Sequence, residues 1–460
     1  MKKVMKKIIL ILAAVALTGC GIYKPYNRPE VKTDGLYGAG VETADSTTLG
    51  DVAWQEIFTD PYLQRLIEKG LESNVDMLSA HLKVEQAEAS LKSARLAYIP
   101  SLNFAPQGSI SRPITKSFSV PVTASWQIDI FNSLTNAKRK ARALHAQSQE
   151  YVQAVRTQLI SGIANLYYSL LMLDSQYHIT ELTAKKWAES VETMRAMKEA
   201  GMTNEAAVAQ YEGNYYSILS SLRDIDLSRR ELENSLCSLL GEIPHEIERG
   251  TLESQQLPEH LMVGVPVQML ANRPDIRMAE YSLMQAYYAT AEARSACYPS
   301  LSLSGTAGWT YNSAAISNPG SLILSAVAQL VQPIFNAGAN RARVKIMKSQ
   351  QEEARLGFQQ ALLDAGAEVN NALAQTQTAR VKGELRANQI EAMERAVEST
   401  MLLMRHGSTT YLDVLTAEQS LLSARLAQTS DRFDEIQGIV NLYKSLGGGR
   451  ELGGGSTITK

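Results

Sequence analysis

Residues of the types that usually carry chemistry are few in this 460-residue sequence, and they stand far apart. The three cysteines, Cys20, Cys237 and Cys297, lack the short Cys/His spacings of a zinc site. None of the six histidines lies near a nucleophile signature, and HExxH, GxSxG and phosphate-loop motifs do not occur. The sequence therefore predicts no catalytic residue, no metal site and no enzymatic activity. An envelope enzyme is the rival interpretation, but carboxylate pairs such as Glu352-Glu353 usually mark a solvated helix face.

Cys20 is the residue for which the sequence predicts a covalent modification. Four lysines within residues 2–7 and the apolar run Ile8–Leu17 have the pattern of a bacterial signal peptide. The ending Leu17-Thr18-Gly19-Cys20 resembles a lipobox, whose cysteine receives diacylglycerol on its thiol and an acyl chain on its new amine, giving a stable anchor. Because residue 21 is glycine and not the aspartate that commonly retains lipoproteins in the inner membrane, this resemblance implies the outer membrane. The alternative is an ordinary signal peptide with a chance cysteine.

The charge and hydropathy of the chain exclude two classes of protein. The formal net charge is −2 without any basic tract, so nucleic acid is not expected as a partner. No apolar run reaches the roughly 20 residues that a membrane-spanning helix needs. The body of the chain is therefore expected to contain no transmembrane helix.

Long helices are predicted from the uneven distribution of proline. The 14 prolines leave two gaps of similar length, one between Pro121 and Pro244 and one after Pro333. Since proline breaks helix interiors, we expect two long helical units, and an α/β enzyme with frequent turns is disfavoured. The predicted helices run from about Ser133 to Ala200 and from Asn204 to Leu240, then to His406 and back to Leu446.

The two halves of the chain repeat one plan. Asn74–Leu102 matches Arg273–Leu301 at an offset of 199 residues, and Ile130-Phe131-Asn132 matches Ile334-Phe335-Asn336 at an offset of 204. The predicted organisation is a signal peptide at 1–19, a lipidated N-terminal arm at 20–60, repeat 1 at 61–255 with a β-hairpin at about 102–130, repeat 2 at 256–449 with a β-hairpin at about 300–334, and a disordered tail at 450–460.

Each half contains segments in which every second residue is apolar or small, as in Val120–Ile128 and Leu301–Trp309. This alternation is typical of strands, including those of membrane barrels; a soluble hairpin or a closed soluble helical bundle is the alternative. Four strands are too few to close a barrel, and an open sheet edge cannot lie in lipid. If the strands span a membrane, several copies of the chain must share one barrel.

Two glycines are predicted to end the longest helices. Gly201 and Gly407 would supply the positive φ that a helix stop needs. Thr203, and Thr409 or Thr410, are candidates for capping the helices that follow. The turns at these glycines are natural docking points for another protein.

Several motifs in the same order resemble those of TolC-like outer-membrane factors, in the lipoprotein (NodT-like) subfamily of RND-type tripartite efflux systems. The matching stretches are Trp54–Phe58 with Asp60-Pro61, Trp126–Phe131, Arg273–Ile276 with Ala279-Glu280, Ala293-Arg294 with Tyr298–Leu301, Gly407 with Tyr411–Leu415, and Asn441–Gly449. The resemblance covers about residues 50–449 and the lipobox.

This resemblance implies a mainly α chain with membrane β-strands, assembled as a homotrimer. Twelve strands, four from each chain, would form an outer-membrane β-barrel that a long α-helical barrel continues into the periplasm. Such a duct passively exports drugs, toxic compounds or metals, which it receives from an inner-membrane pump, here of the RND class, through a periplasmic adaptor. The adaptor would dock at Gly201, Thr203, Gly407 and Thr409. A type I protein-secretion duct and a non-conducting lipoprotein tether remain alternatives.

Relatives in this family close the periplasmic end with a ring of side chains. The resemblance implies Leu412, Thr416 and Gln419 as the gate, and these three share one face of the helix after Gly407. Relatives often have aspartate and arginine at the last two positions, so a charged ring is not expected there. Asp413 lies one residue round the helix and is a fourth candidate.

Overall fold

The computed structural model describes residues 25–30, 35–36, 48–111, 115–256, 258, 263–264, 269–312 and 321–450. Cys20, the predicted signal peptide and residues 451–460 of the predicted tail lie outside the described residues.

Within these ranges the chain is mainly helical, as predicted. The helices are α1 (Trp54–Ile57), α2 (Pro61–Ser73), α3 (Val75–Leu96), α4 (Ser133–Glu199), α5 (Glu205–Leu240), α6 (Met269–Asn272), α7 (Pro274–Ser295), α8 (Ala339–Arg405) and α9 (Tyr411–Ser445). The long helices of the two repeats match in length, since α4 and α8 both have 67 residues, and α5 and α9 have 36 and 35. None of the described helices is both long enough and apolar enough to cross a bilayer.

The strands form one antiparallel sheet. They are β1 (Ser101–Phe104), β2 (Gln107–Ser111), β3 (Thr115–Ile128), β4 (Ser300–Asn312) and β5 (Ser321–Val331). β1 and β2 both pair with β3 in one continuous register, and β3 pairs with β4, which pairs with β5. The break between β1 and β2 falls at Ala105-Pro106, because proline has no N–H to donate to the ladder. The described part of the chain thus contains the four strands expected from its sequence, one of them interrupted.

The register of the sheet places apolar residues on one face. Val122 of β3 lies opposite Ala307 of β4, which lies opposite Leu324 of β5. Along β3 and β4 the other face is mainly serine, threonine and glutamine. The apolar face is open to its surroundings, and the side chain of Leu324 is 82% exposed. Such a face needs a lipid or protein neighbour.

An aspartate holds the junction between β3 and α4. Oδ1 of Asp129 accepts a hydrogen bond from the backbone N–H of Leu134 (3.0 Å), and Oδ2 accepts one from that of Thr135 (2.8 Å). These N–H groups belong to the first turn of α4 and have no acceptor within the helix. The chain enters the helix through Asn132, whose φ is 58°.

One compact unit consists of described residues within 25–30, 81–151 and 275–361, and it contains the sheet. In this unit α4 packs on α7 through ion pairs. Nζ of Lys140 lies 2.7 Å from Oε2 of Glu292, and Nη2 of Arg277 lies 2.8 Å from Oε1 of Glu150. These pairs join the first repeat to the second.

The second compact unit consists of described residues within 35–36, 48–80, 152–274 and 362–450. Asp60 is buried there and caps α2 by accepting a hydrogen bond from the N–H of Tyr62 (2.9 Å). Its Oδ2 also accepts hydrogen bonds from the hydroxyl of Tyr167 (2.6 Å) and from Nε2 of Gln255 (2.9 Å). A buried carboxylate is tolerated because its lone pairs are occupied in this way.

Two of the motifs that carry the resemblance meet in the second unit. The buried guanidinium of Arg273 donates to the carbonyl of Ser445 (2.7 Å) and to Oε2 of Glu368 (2.6 Å). Gly447 has a φ of 82°, and a Cβ at this position would lie 2.5 Å from the carbonyl oxygen of Asn272. The glycine is therefore required by both its conformation and its close neighbour.

Candidate functional site

The first candidate docking turn follows α4. Gly201 has a φ of 74°, its N–H bonds to the carbonyl of Lys198 (2.9 Å), and the N–H of Met202 bonds to that of Met197 (2.8 Å). This is the Schellman arrangement, and it ends the helix at the predicted glycine. Met202 is exposed, so an apolar side chain projects from the turn.

The second turn has the same geometry. Gly407 has a φ of 71°, its N–H bonds to the carbonyl of Met404 (3.0 Å), and the N–H of Ser408 bonds to that of Leu403 (2.9 Å). The two glycines occupy equivalent places in the two repeats.

The capping predicted for Thr203 is wrong, because the N-cap of α5 is Asn204. Its backbone is extended (φ −114°, ψ 170°), and its Oδ1 accepts a hydrogen bond from the N–H of Ala207 (3.0 Å). Thr203 is one residue too early to reach the first turn. In the second turn Thr410 is the N-cap, as one of the two alternatives predicted.

Asp413 completes the cap of α9. Its Oδ2 accepts hydrogen bonds from the hydroxyl of Thr409 (2.5 Å), the hydroxyl of Thr410 (2.7 Å) and the N–H of Thr410 (3.0 Å). The bond from Thr409, followed by those from Thr410, holds the pKa of the carboxyl below its usual range, because each bond favours the ionised form. The fourth gate candidate is thus engaged in holding the turn.

Leu412, Thr416 and Gln419 are all exposed on α9. Leu412 is 47% exposed, and the hydroxyl of Thr416 donates to the carbonyl of Leu412 (2.8 Å). Nε2 of Gln419 donates to Oδ1 of Asn214 on α5 (2.7 Å). Leu412 and Thr416 are thus exposed on this face of α9, and Gln419 is hydrogen-bonded to the neighbouring helix α5.

A buried apolar cluster joins helices that flank the two turns. Its members come from α4, α5 and α9 and are Ala184, Trp187, Val191, Met194, Ala207, Val208, Tyr211, Ile218, Leu222 and Leu415. Within it the rings of Trp187 and Tyr211 lie 5.4 Å apart. Burial, and then the nearby charge of Glu418, raise the pKa of Tyr211 to about 12.

Glu418 is a feature that the sequence reasoning missed. Its Oε2 is buried and has no hydrogen-bond partner among the described residues. Burial raises the pKa of this carboxyl, and the positive charge of Lys186 opposes the shift. The signal was present in the repeat: the equivalent Glu212 forms an ion pair with Arg195, and the position equivalent to Arg195 is Met401.

Across the described ranges, histidine, cysteine and acidic side chains form no group of three that could hold a metal ion. The chemistry of these surfaces is that of turns, apolar contacts and hydrogen bonds.

A chain with a four-stranded sheet, one apolar face and two hairpins of long helices has the architecture of an outer-membrane duct. The chain belongs to the outer membrane efflux protein family, whose model matches residues 66–242 and 265–448.

Similar proteins agree with this assignment. The cation efflux system protein CusC of Escherichia coli O6:H1 is 29% identical over 455 residues, covering 96% of this chain and 98% of CusC. The probable outer membrane lipoprotein SilC of Salmonella typhimurium is 27% identical over 458 residues, covering 96% and 98%. The open state of the Neisseria gonorrhoeae MtrE outer membrane channel matches with a TM-score of 0.81 at 26% identity, covering 93% of this chain and 98% of that one. The predicted family, mainly helical fold with membrane strands, efflux role and outer-membrane location are confirmed.

Proposed function

We propose that three copies of this chain form a passive exit duct for small molecules, with a twelve-stranded barrel in the outer membrane and a helical barrel in the periplasm. The observation that carries this proposal is the sheet, which combines one apolar face with two open edges. β5 at one edge and β1 with β2 at the other have no further strand partner among the described residues.

The open edges require other copies if the apolar face lies in lipid. Each unpaired N–H and C=O costs several kcal/mol in a bilayer, so a four-stranded sheet cannot stay there alone. Closure by β5 of one copy against β1 and β2 of the next satisfies both edges. Three copies give twelve strands, which is within the range of outer-membrane barrels.

The helix turns are proposed as the contact with the rest of the export system. A periplasmic adaptor docks at Gly201, Thr203, Gly407 and Thr409, and connects the duct to an inner-membrane pump of the RND class. The exposed side chain of Met202 supplies an apolar contact in this surface. The gate proposed at this end consists of Leu412, Thr416 and Gln419, with Asp413 holding the turn.

Cys20 is proposed as the lipid attachment site, with diacylglycerol on the thiol and an acyl chain on the amine. The relative SilC is named as a probable outer membrane lipoprotein, which supports this proposal. The cargo is proposed to be drugs, toxic compounds or metals, and the name of the relative CusC, a cation efflux system protein, supports the metal cations among these.

Conductance in planar bilayers, together with the mass of the purified particle, tests the duct. We expect a trimer in detergent and stepwise ionic currents from the full-length chain. A trimer that never conducts would favour the non-conducting tether, and a monomer would overturn the proposal. Export of a small dye, but not of a reporter protein, from cells carrying the cognate adaptor and pump separates efflux from type I secretion.

A further inference from the structure

We propose that neighbouring copies join through a second version of the contact that joins the two repeats inside one chain. Gln351 meets the partner's Gln86, and Phe335 covers the partner's Ile99. This inference rests on the trimer proposed above and names the residues of its interface.

The contact inside the chain is well defined. On α4, Oε1 of Gln147 accepts a hydrogen bond from Nε2 of Gln285 on α7 (2.8 Å). Nε2 of Gln147 donates to the hydroxyl of Ser282 (2.6 Å) and to the carbonyl of Met278 (3.1 Å). A single glutamine of repeat 1 therefore forms hydrogen bonds with three groups along one face of α7 in repeat 2.

An aromatic contact lies at the sheet end of the same interface. The ring of Phe131 stacks on that of Tyr298, with 5.1 Å between centroids and 16° between planes. The hydroxyl of Ser295 donates to the carbonyl of Phe131 (2.8 Å). Phe131 is consequently half-buried inside a single chain.

The repeat offsets assign a counterpart to each partner in these two contacts. Gln147 corresponds to Gln351 and Phe131 to Phe335, both at the offset of 204 residues. Gln285 corresponds to Gln86, and Tyr298 to Ile99, at the offset of 199 residues. Both members of the glutamine pair have thus kept their identity in the other repeat.

Three of these four counterparts are exposed in the single chain, and Gln351 is half-buried. Phe335 is 87% exposed and Ile99 is 61% exposed, although both are large apolar residues, and Gln86 is exposed as well. Ile334, next to Phe335 in the sequence, is 96% exposed, so this edge presents adjacent apolar side chains of the kind that mark an interaction surface. The pairing of β3 with β4 continues the internal contact into the sheet. The strands in the equivalent places, β5 and β1 with β2, have no further strand partner within the ranges that the structure describes. A second copy is therefore the occupant that fits.

Neither ion pair of the internal contact has a counterpart between copies, since the positions equivalent to Glu150 and Arg277 hold Ala354 and Leu78. Lys140 pairs with Glu292 inside the chain, whereas the equivalent positions hold Val344 and Ser93. The interface between copies is thereby less charged than the interface between repeats, while the glutamine pair is common to both.

Cross-linking of paired cysteines tests the assignment in the full-length chain with Cys237→Ala and Cys297→Ala. A short bis-maleimide is applied to Gln86→Cys/Gln351→Cys and, as a second pair, to Ile99→Cys/Phe335→Cys. Gln147→Cys/Gln285→Cys shows that the reagent spans the geometry, because it must add the mass of one linker to each chain, seen by mass spectrometry, without forming dimers. Glu88→Cys/Gln351→Cys is the matched negative control, since position 88 faces away from position 86 on α3.

We expect both test pairs to convert monomer bands into dimers and trimers, and the Glu88 pair to leave them unchanged. The mass of each unreacted variant in detergent is measured alongside. A trimer in which neither test pair links more than the Glu88 pair would contradict this interface and leave the duct proposal intact. Variants and parent that are all monomeric would overturn both.

Discussion

Nη2 of Arg195 lies 2.5 Å from Oε1 of Glu212, so the first helical hairpin is tied by an ion pair close to its turn. The second hairpin has the equivalent carboxylate, Glu418, but Met401 stands in place of the arginine. One position thus carries a paired carboxylate in one repeat and a buried carboxylate, with one oxygen lacking a hydrogen bond, in the other.

Glu418→Gln is expected to stabilise the protein at neutral pH and to have little effect in acid. The pKa of Glu418 is raised in the folded state, chiefly by burial, so the stability tied to its protonated form is present below the unfolded pKa and is lost as pH rises through the folded one. Lys186 lies close enough to act on this carboxyl by its charge, and Tyr211, whose pKa burial raises to about 12, stays neutral in this range. The measurement is the difference in melting temperature between variant and parent from pH 4 to pH 7.

Glu212→Gln is the matched control in the first repeat. It removes an exposed ion pair, so it is expected to lower the melting temperature slightly or not at all at neutral pH, opposite in sign to the effect at position 418. A melting difference for Glu418→Gln that does not grow with pH would contradict the burial argument.

Leu412→Ala and Thr416→Ala are each expected to raise the resting current of the channel in planar bilayers. Both side chains stand in the open on α9, and trimming them widens the constriction that we propose. Gln419→Ala also frees α9 from Asn214 and is expected to increase the frequency of opening. Leu402→Ala, at an exposed position on α8, is the control. Unchanged currents for both Leu412→Ala and Thr416→Ala would rule out this gate.

Asp413→Asn is expected to loosen the start of α9. The amide keeps the size of the carboxylate but weakens the three hydrogen bonds from Thr409 and Thr410, which are assisted by its charge. Hydrogen exchange measured by mass spectrometry should become faster for peptides around Thr410 and stay the same around Gly201. Asn204→Ala is expected to show the reverse pattern. Equal protection in both turns for both variants would contradict the assigned caps.

Tyr167→Phe is expected to destabilise the protein by about 1.5–3 kcal/mol, since the lost hydroxyl donates to a buried carboxylate. Asp60 would keep only its bonds from Tyr62 and Gln255. Tyr216→Phe, at an exposed position, is the control and should be neutral. Chemical unfolding monitored by circular dichroism gives the difference, and equal midpoints for the two variants would refute the role assigned to Tyr167.

Val344→Lys with Ser93→Glu is expected to recreate, between copies, the ion pair that Lys140 and Glu292 form inside the chain. Each single change should lower the temperature at which the trimer dissociates on gels, and the pair should recover it with a coupling of about 0.5–3 kcal/mol. Val344→Glu with Ser93→Glu places like charges together and should not recover. Independent effects of the two substitutions would contradict the interface.

The long helices could be predicted from the sequence almost to the residue. The prediction of Ser133–Ala200 compares with an observed Ser133–Glu199, because the absence of proline and the glycine at 201 both act through local backbone conformation. The choice of Asn204 over Thr203 could not be predicted, since both types cap helices and only the backbone at the turn decides which one reaches the first N–H groups.

The interruption of the first strand was partly visible in the sequence. Pro106 lies between β1 and β2, but the alternation of apolar and polar residues on either side of it predicts one strand. Both segments pair with β3 in one continuous register, which is why the alternation continues across the break. The surroundings of Glu418 include Lys186 on α4 and Tyr211 on α5, which come from two other helices. Periodicity within one helix carries no information about such packing.

The exposed apolar face of the sheet also makes the newly made single copy prone to aggregation, so the copy must assemble quickly. Until it meets the other copies, the single chain exposes unpaired strand edges and apolar side chains to water, and such a surface promotes aggregation. Delivery to the membrane must therefore be escorted by a holding chaperone or be faster than the encounter of two misdirected copies. Because overproduction raises the concentration of single copies, they meet sooner, and the yield of assembled protein should fall as expression rises.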